Sequence, residues 1–439
     1  MLDDDPTPML ERLVAWLTPF AACFGHRAQA VALGHYTAGL LSDSPRKSMQ
    51  AMLTRLTDPP AYQSLQHFIT HAPWSAAKMW RELRARVPER CGILLLDDTG
   101  FPKKGDRSVG VARQYSGSLG KVGNCQVAVT AALWTGARAW LLGAALYLPE
   151  RWTSDAARCA HAGVPEPVRL KKKWELALTL LREIRAAGIE LTAVLSDSGY
   201  GDATAFRTAL HRLKLAYGLG ISCTLTVFLA RPDWRAPRVV AGSRQRRPRA
   251  TLGAGTPGPV TVQAAADALP PTAWHRVTWR FADQPDRAAR CAALRVTPAH
   301  DWTRTRPLPE IWLLCERPED RPGVTKYYFV HLPADTPLRD LVTFVHQRWP
   351  IEQQYQQLKT ELGLDHFEGR TYAGWTHHVV VSAVAYAFLQ QERMHAATAL
   401  TFEAVHTMVM EVFVGLLFAS RPRYAAWMAK ARQLLPLRL

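Results

Sequence analysis

Three acidic residues, far apart in the chain, stand where carboxylates could hold divalent metal ions together. Asp98 follows the apolar run Cys91–Leu96, Asp197 follows the run Ile189–Ser196, and Glu352 lies in the first turn of a predicted helix. Strand ends in α/β sheets are where ligand sites form. Carboxylates are hard oxygen ligands that suit Mg²⁺ or Mn²⁺. Two such ions activate an attacking oxygen and stabilise a leaving one, so the set predicts phosphoryl transfer.

Each acid also has a purely structural explanation. The segment Asp97–Gly100 could be a turn in which an Asp side chain bonds its own backbone. Asp197 could cap the following helix, and Glu352 could complement the helix dipole. The combination of two strand-end Asp residues with a helical Glu is more specific than any one of them. A metal site is therefore the preferred interpretation.

The charge of the chain favours a polyanionic partner. Among 439 residues, Lys and Arg number 54 and Asp and Glu number 37, which gives a formal net charge of +17. Such a surplus is not needed for folding, and it promotes binding to DNA or RNA through counterion release. An anionic membrane surface is the alternative that charge alone leaves open.

Several classes of protein are disfavoured. The seven cysteines include no Cys-x-x-Cys pair, which argues against a zinc site or a disulfide framework and fits a reducing, bacterial cytoplasm. The acidic start differs from the basic leader of a signal peptide. The longest apolar runs, His378–Leu389 and Met408–Ser420, fall short of the roughly 18–20 residues that a membrane span needs. The sequence therefore predicts a nucleoid-associated protein without a membrane segment.

The pattern of apolar residues divides the chain into five regions. Residues 1–90 predict a small all-α domain, and residues 374–439 predict a helical C-terminus. Between them we predict a core in two parts, 91–223 and 327–373, separated by a mostly β insertion at 224–326. In the first part the predicted order is strand, strand, strand, helix, strand, helix, strand: Cys91–Leu96, Gln126–Trp134, Ala139–Leu148, Pro165–Ala187, Ile189–Ser196, Ala203–Leu213 and Ala216–Cys223. That order predicts an α/β mixed sheet of the ribonuclease-H-like type.

Polar segments and two further helices complete the prediction. A loop rich in Gly, Ser and Lys follows the first strand as far as Asn124, and Arg-rich residues 231–249 predict a solvated loop. Residues 338–349 and 350–362 predict helices, with Pro350 suited to a first helical position. Glu352 would then lie in the first turn of the second of these helices.

Long motifs resemble those of one known family. They are Leu96–Gly105 (LDDTGFPKKG), Ser108–Gly117 (SVGVARQYSG), Asp197–Gly201 (DSGYG), Arg348–Glu352 (RWPIE) and Glu361–Arg370 (ELGLDHFEGR). Over nearly its full length the chain resembles insertion-sequence transposases of the DDE superfamily, specifically insertion-sequence family 701, which is related to family 4. These enzymes have a ribonuclease-H-like core with a β insertion between the second Asp and the Glu. The spacings, 99 residues and then 155, agree with that arrangement.

The resemblance implies a function and a set of catalytic residues. Asp98, Asp197 and Glu352 would hold two Mg²⁺ or Mn²⁺ ions, and the enzyme would bind the terminal inverted repeats of its element as a homodimer. It would cleave the double-stranded DNA there and join the freed end to target DNA, by cut-and-paste transposition. The relatives place their Asp directly before Thr, which favours Asp98 over the alternative, Asp97. Asp97 would then face the other side of the strand.

The resemblance also implies residues that contact DNA. Arg348 and Lys359 match a Tyr-Arg-Glu-Lys signature around the Glu, although its Tyr is Val345 here. They would clamp phosphates, Arg by its bidentate fork and Lys as a point charge; the structural alternative is a solvated helix face. The loop after the first Asp also carries Lys103, Lys104, Arg107 and Arg113, which could contact phosphates or form an exposed basic hairpin. In related transposases an insertion Trp stacks on a base, so Trp279, Trp302 and Trp312 are candidates, although a Trp in a β segment more often belongs to the core.

Two rival functions remain at this stage. A domesticated, catalytically inactive DNA-binding protein would explain the charge but not the three acids. A metal-dependent phosphatase would use Asp97 or Asp98 before Thr99 as a nucleophile, but it gives no reason for the basic charge or for Glu352.

Overall fold

The N-terminal region is helical, as its apolar spacing predicts. The computed structural model describes residues 7–117, 120–237, 249–280, 286–321, 323, 325–396, 400–421, 423, 426–427 and 430. Five helices and one short 3-10 turn (Thr18–Cys23) come first: α1 Thr7–Leu17, α2 Arg27–Leu41, α3 Met49–Leu53, α4 Tyr62–Thr70 and α5 Ala76–Arg86. Ser48 and Ser75 cap α3 and α5 by accepting backbone N–H groups of the first turn.

A large mixed sheet follows. Its first six strands are β1 Cys91–Pro102, β2 Ala112–Ser116, β3 Lys121–Trp134, β4 Ala139–Tyr147, β5 Glu190–Ser196 and β6 Ala216–Ile221. Strand β1 lies between β3, its antiparallel partner, and β5, its parallel partner. Strand β6 continues the parallel part beside β5, and β2 and β4 both pair with β3. The predicted α/β class with a mixed sheet is confirmed.

Two local predictions about this sheet are wrong. The first strand does not end at Leu96, because its ladder with β3 continues to the pair Pro102 and Cys125, so Asp97 and Asp98 lie within the strand. The polar loop predicted as far as Asn124 contains strand β2, which pairs with the start of β3. In both places the prediction stopped the strand at polar residues, but the backbone hydrogen bonds to β3 continue through them.

Five helices surround this part of the sheet: α6 Glu150–Thr153, α7 Ala156–His161, α8 Lys173–Ala186, α9 Ser198–Gly201 and α10 Thr204–Arg212. The predicted helix Pro165–Ala187 begins only at Lys173. Pro165 and Pro167 lack a backbone N–H, and the helix begins where the Glu175 carboxylate accepts the backbone N–H of Lys172. Lys173 is thereby fixed at the N-terminus of α8.

The segment between Asp197 and Glu352 extends the same sheet. Its elements are β7 Thr226–Phe228, β8 Trp234–Arg235, β9 Thr251–Leu252, β10 Val260–Thr261, α11 Val262–Asp267, β11 His275–Trp279, β12 Arg287–Pro298, β13 Ile311–Pro318 and β14 Lys326–His331, with a 3-10 turn at Pro271–Ala273. Strand β14 pairs with β6, and β13, β12 and then β7 follow outward, with β11 also beside β12. Most of the predicted Arg-rich loop, residues 238–248, lies outside the described residues.

Four further helices have defined bounds in the part of the chain that the structure describes: α12 Leu338–His346, α13 Pro350–Thr360, α14 Tyr372–His395 and α15 Phe402–Ala419. Helix α14 is buried along most of its length between β4 and the N-terminal helices. Its His377 is buried and contacts the carbonyls of Ile69 and Trp74, each at 2.9 Å. The two helical ends of the chain therefore share one hydrophobic core with the sheet.

Helix α15 is longer than the apolar run Met408–Ser420 that the sequence indicates. Within the described residues it is the single helix whose length and composition would allow it to cross a membrane. One such helix carries little weight, because core helices pass the same test. It packs against α14 and α2 and includes Glu403 and Glu411.

Candidate active site

Parallel pairing of β1 and β5 brings the two Asp positions together. Leu96 is in register with Ser196, so the residues that follow, Asp97 and Asp197, emerge side by side. Asp197 is also the N-cap of α9, where its carboxylate accepts the backbone N–H of Gly199 at 3.0 Å. Ligand oxygens of Asp97, Asp98 and Asp197 all lie within 4.8 Å of one another.

The expectation that Asp97 faces away from this cluster is wrong. Side chains of β1 do alternate, since Leu95 packs with Leu195 and Ile351 whereas Leu96 lies in the main core. The Asp97 carboxylate nevertheless turns along the strand and accepts the backbone N–H of Asp98 at 2.8 Å. The carboxylates of Asp97 and Asp98 therefore both lie close to Asp197, although the two residues are neighbours in one strand.

Burial and repulsion by neighbouring carboxylates disfavour the charged forms of Asp97 and Asp197. Asp97 is 9% exposed, and its burial raises its pKa to about 7; Arg348 opposes this shift, while Asp197 and Asp98 add to it. Burial, and then Asp98, raise the pKa of Asp197. A divalent cation would relieve both penalties. Three carboxylates this close are hard oxygen donors, which fit Mg²⁺ or Mn²⁺.

Glu352 reaches the cluster through an arginine. Its side chain is 49% exposed in the first turn of α13, and the Arg348 guanidinium donates to its carboxylate. The same guanidinium donates through Nη1 to Asp97 Oδ2 at 2.8 Å. Burial alone would lower the pKa of Arg348, but Asp97 and Glu352 outweigh it and raise that pKa. Arg348 thus joins the strand acid to the helix acid, and Glu352 itself is outside the three-carboxylate cluster.

Sequence reasoning missed Lys173 as a member of this site. Its ammonium group donates to Asp98 Oδ2 and lies 5.8 Å from the centre of the Tyr147 ring. A basic residue at a helix N-terminus opposes the helix dipole. Lysines at a helix start are unfavourable unless a carboxylate lies close to them. The run Lys171-Lys172-Lys173 at a predicted helix start was therefore a signal that one of them pairs with an acid.

A partly buried tyrosine beside the acids was also missed. Tyr355, on α13, makes a hydrogen bond between its hydroxyl and that of Thr130 on β3. Asp97 contributes to raising the pKa of Tyr355, although burial is the main cause. One turn after Glu352, Tyr355 anchors α13 to β3 at Thr130, the residue that pairs with Asp97 of β1.

The predicted lysine contacts differ in how they are held. Lys359 Nζ donates to the backbone carbonyl of Gly100 at 2.9 Å, and Lys103 Nζ donates to that of Phe367. Burial lowers the pKa of both lysines. Lys104 and Arg113 are exposed. Lys359 and Lys103 are therefore held by hydrogen bonds to backbone carbonyls, whereas Lys104 and Arg113 extend into solvent.

Gly100, whose carbonyl accepts the Lys359 hydrogen bond, leaves no room for a side chain. A Cβ at this position would approach Ser116 Oγ to 2.2 Å, because the β2 hairpin folds over β1 there. A side chain would push β2 away from the strand.

A cleft of about 850 Å³ opens beside the acids. Of the three insertion tryptophans, Trp279 lines this cleft and the other two do not. Asp197, Arg348, Glu352 and Trp279 line it. Trp279 stacks on His346 at 3.9 Å. The other two are engaged elsewhere: Trp312 donates to the Pro333 carbonyl, and Trp302 packs edge-on against Phe228.

The wall of this cleft contains a buried ionic group. Glu316 is 1% exposed and bonds His346 at 2.8 Å and Lys326 at 3.3 Å, and these partners lower its pKa against the effect of burial. Val345, which replaces the Tyr of the family signature, is buried and packs with Leu341 and Val342. It does not offer a polar group to the cleft.

Comparisons with known proteins give three results. A family model described as "DDE superfamily endonuclease" matches residues 19–285, which include Asp97, Asp98 and Asp197 and end before Glu352. The "Probable transposase for insertion sequence element IS701" of Microchaete diplosiphon is 33% identical over 190 residues, covering 42% of this chain. The match spans about half of that relative's length (46%). A piggyBac transposase synaptic complex with hairpin DNA aligns with a TM-score of 0.43 and 8% identity, over 94% of this chain and 78% of the other.

Proposed function

The chain belongs to the DDE superfamily of endonucleases, and we propose that it is an insertion-sequence transposase that cuts and joins DNA at the ends of its own element. The observation that carries the proposal is the convergence of Asp97, Asp98 and Asp197, with Glu352 joined to them by Arg348. Attacks by water at the element end and by the freed 3′ hydroxyl on target DNA are both in-line phosphoryl transfers.

The strand order supports a ribonuclease-H-like core. Strands β4, β3 and β1 are antiparallel neighbours, and β5 and β6 continue in parallel from β1. In this proposal residues 1–90 form a DNA-binding domain, 91–223 and 327–373 form the catalytic core, 224–326 form the insertion, and 374–439 form a helical C-terminal region. Two copies of this cytoplasmic protein would hold the two inverted repeats of the element together.

Each residue of the site has a proposed role. Asp98, Asp197 and Glu352 would hold the metal ions, with Asp97 as the alternative to Asp98. When bound, Mg²⁺ or Mn²⁺ would supply charge stabilisation to the attacking and leaving oxygens. Arg348 would turn from its two carboxylates toward a DNA phosphate, since its planar fork suits either partner.

Other cations would guide the DNA strand past the acids. Lys359 and Lys103 lie beside β1, and Lys104 and Arg113 face solvent nearby. Trp279 is the insertion tryptophan proposed to stack on a base, because it lines the cleft next to Asp197 and Glu352.

The direct test is cleavage of DNA taken from the two flanks of the native gene. Purified protein with Mg²⁺ should cut this DNA at the inverted repeats and leave a shuffled-repeat duplex intact. A DNA-binding protein without catalysis would bind the flanks and never cut them. A phosphatase would release phosphate from a small phosphate ester and ignore the flanks.

Metal dependence gives one prediction. Mg²⁺ or Mn²⁺ should support cleavage, and Ca²⁺ should support DNA binding with little cleavage, because Mg²⁺ enforces tight octahedral geometry and Ca²⁺ is larger and less strict. The measurement is the rate of strand cleavage in each ion after dialysis against a chelator. Full activity in the chelator would contradict the metal mechanism.

Salt dependence gives another prediction. DNA affinity should fall steeply with salt, with a log–log slope of about −0.9 for each phosphate contacted. The reason is the surplus of Lys and Arg behind the net charge of +17. Fluorescence anisotropy with a labelled duplex across a salt series measures the slope, and a value near zero would remove this idea.

A further inference from the structure

A second basic cavity lies apart from the acids. Its volume is about 320 Å³. Residues from the β1–β2 loop, the α6–α7 region and the start of α14 enclose it: Asp106, Arg107, Trp152, Arg158, His161 and Arg370. Three arginines at one small cavity make its opening positively charged, which favours a bound anion.

The cavity carries uncompensated positive charge. The Arg158 guanidinium stacks on Trp152 at 3.9 Å and donates to the backbone carbonyl of Asp106, which fixes its plane but neutralises no charge. Arg107 and Arg370 are exposed, and neither has an ion-pair partner among the described residues. The one acid in the lining, Asp106, makes no ion pair with the described residues. The arginines therefore exceed the acids by two charges.

The chain segments that line the cavity lead back to the strand that carries Asp97 and Asp98. The segment 103–109 runs beside the segment 367–370, because Lys103 Nζ donates to the Phe367 carbonyl and the Val109 N–H donates to the Arg370 carbonyl at 3.1 Å. Gly100, bound by Lys359, lies at the acid end of this path. Basic side chains therefore lie at intervals between the acids and the cavity: Lys359, then Lys103, then the arginines of the cavity.

We propose that this cavity binds a backbone phosphate of the DNA, one that lies away from the phosphate being cut. The proposal rests on the proposed function. Guanidinium groups match phosphate oxygens in paired, charge-assisted hydrogen bonds. The open rim formed by exposed Arg107 and Arg370 admits a phosphate that is still part of a polymer. This contact fixes the direction in which the DNA leaves the acids.

The test is the double substitution Arg107→Ala with Arg370→Ala. Removing one phosphate contact should make the log–log salt slope shallower by about 1 and weaken binding of a mixed-sequence DNA duplex about tenfold at low salt. The matched control is Arg182→Ala with Arg185→Ala, on the exposed face of α8, which removes the same charge. It should leave the slope, and the cleavage rate, at the wild-type value. Thermal unfolding checks that both variants fold.

The outcomes separate this proposal from the proposed function. If wild-type protein cuts the flanking DNA and the cavity variant binds with the wild-type slope, the cavity proposal is wrong and the transposase assignment stands. An equal loss in the control variant would also overturn it, because general charge would then explain binding. A third contradiction is calorimetric binding of inorganic phosphate that the cavity variant loses while its DNA slope stays unchanged.

Discussion

The substitutions Asp98→Asn, Asp197→Asn and Glu352→Gln should each lower the rate of DNA cleavage at least about a thousandfold, while DNA affinity stays close to that of the wild type. Each change keeps the shape of the side chain and removes one negative charge. Two cations close together repel, and only concentrated carboxylate charge holds them. Metal ions supply several kcal/mol to the transition state, and each 1.36 kcal/mol is worth about tenfold in rate. Binding depends on Lys and Arg spread over the surface and should survive.

The assay compares single-turnover cleavage with anisotropy on the same terminal-repeat duplex. A matched control is Glu190→Gln, an exposed acid at the other end of β5 from Asp197. It should cut at the wild-type rate. Wild-type cleavage by any of the three site variants would remove that residue from the metal site.

The same series decides between Asp97 and Asp98. The geometry leaves both carboxylates near Asp197, but Asp97 is engaged by Arg348 and Asp98 by Lys173. We expect Asp98→Asn to be inactive and Asp97→Asn to keep part of its activity. An inactive Asp97→Asn beside a fully active Asp98→Asn would reverse the assignment.

Arg348→Ala should lower cleavage by about a hundredfold or more, the second largest effect expected here. Its guanidinium joins Asp97 to Glu352, and removing it leaves buried Asp97 without its counter-charge, so the pKa of Asp97 should rise further. The segment that begins the helix carrying Glu352 also loses one of its ties to β1. A phosphate clamp at this position would add a loss of transition-state stabilisation, in the range of 10²–10³ that removing one such donor costs in enzymes generally.

Companion variants separate these effects. Arg348→Lys keeps the charge but cannot bridge two carboxylates with one planar group, so we expect an intermediate rate. Lys359→Ala should impair cleavage less, because Lys359 donates to the carbonyl of Gly100, whereas Arg348 joins two carboxylates. Arg339→Ala, an exposed change on α12, is the control and should be neutral. Unfolding curves should show that folding changes less than cleavage; a normal rate for Arg348→Ala would exclude both roles.

The sequence by itself determined the class of the fold and the acids worth testing. Helical spacing predicts the N-terminal helices, and apolar runs predict β1 and β5, because those patterns are local. The rule that strand ends meet at one sheet edge predicts Asp98 near Asp197 without any knowledge of loops, and the parallel pairing of β1 with β5 does stop just before both acids, although β1 itself continues beyond them. The surplus of Lys and Arg points to a polyanion for the same reason: it depends on composition alone.

Tertiary structure alone decided how the acids are partnered. Asp97 and Arg348 are 251 residues apart in the chain, and Lys173 and Asp98 are 75 apart. No local pattern encodes such pairs, since they depend on where α8 and the segment between α12 and α13 pack relative to β1. The choice of Trp279 among three tryptophans is of the same kind, because it follows from which strand borders the cleft. The arginine cavity likewise exists only because three distant segments fold against one another.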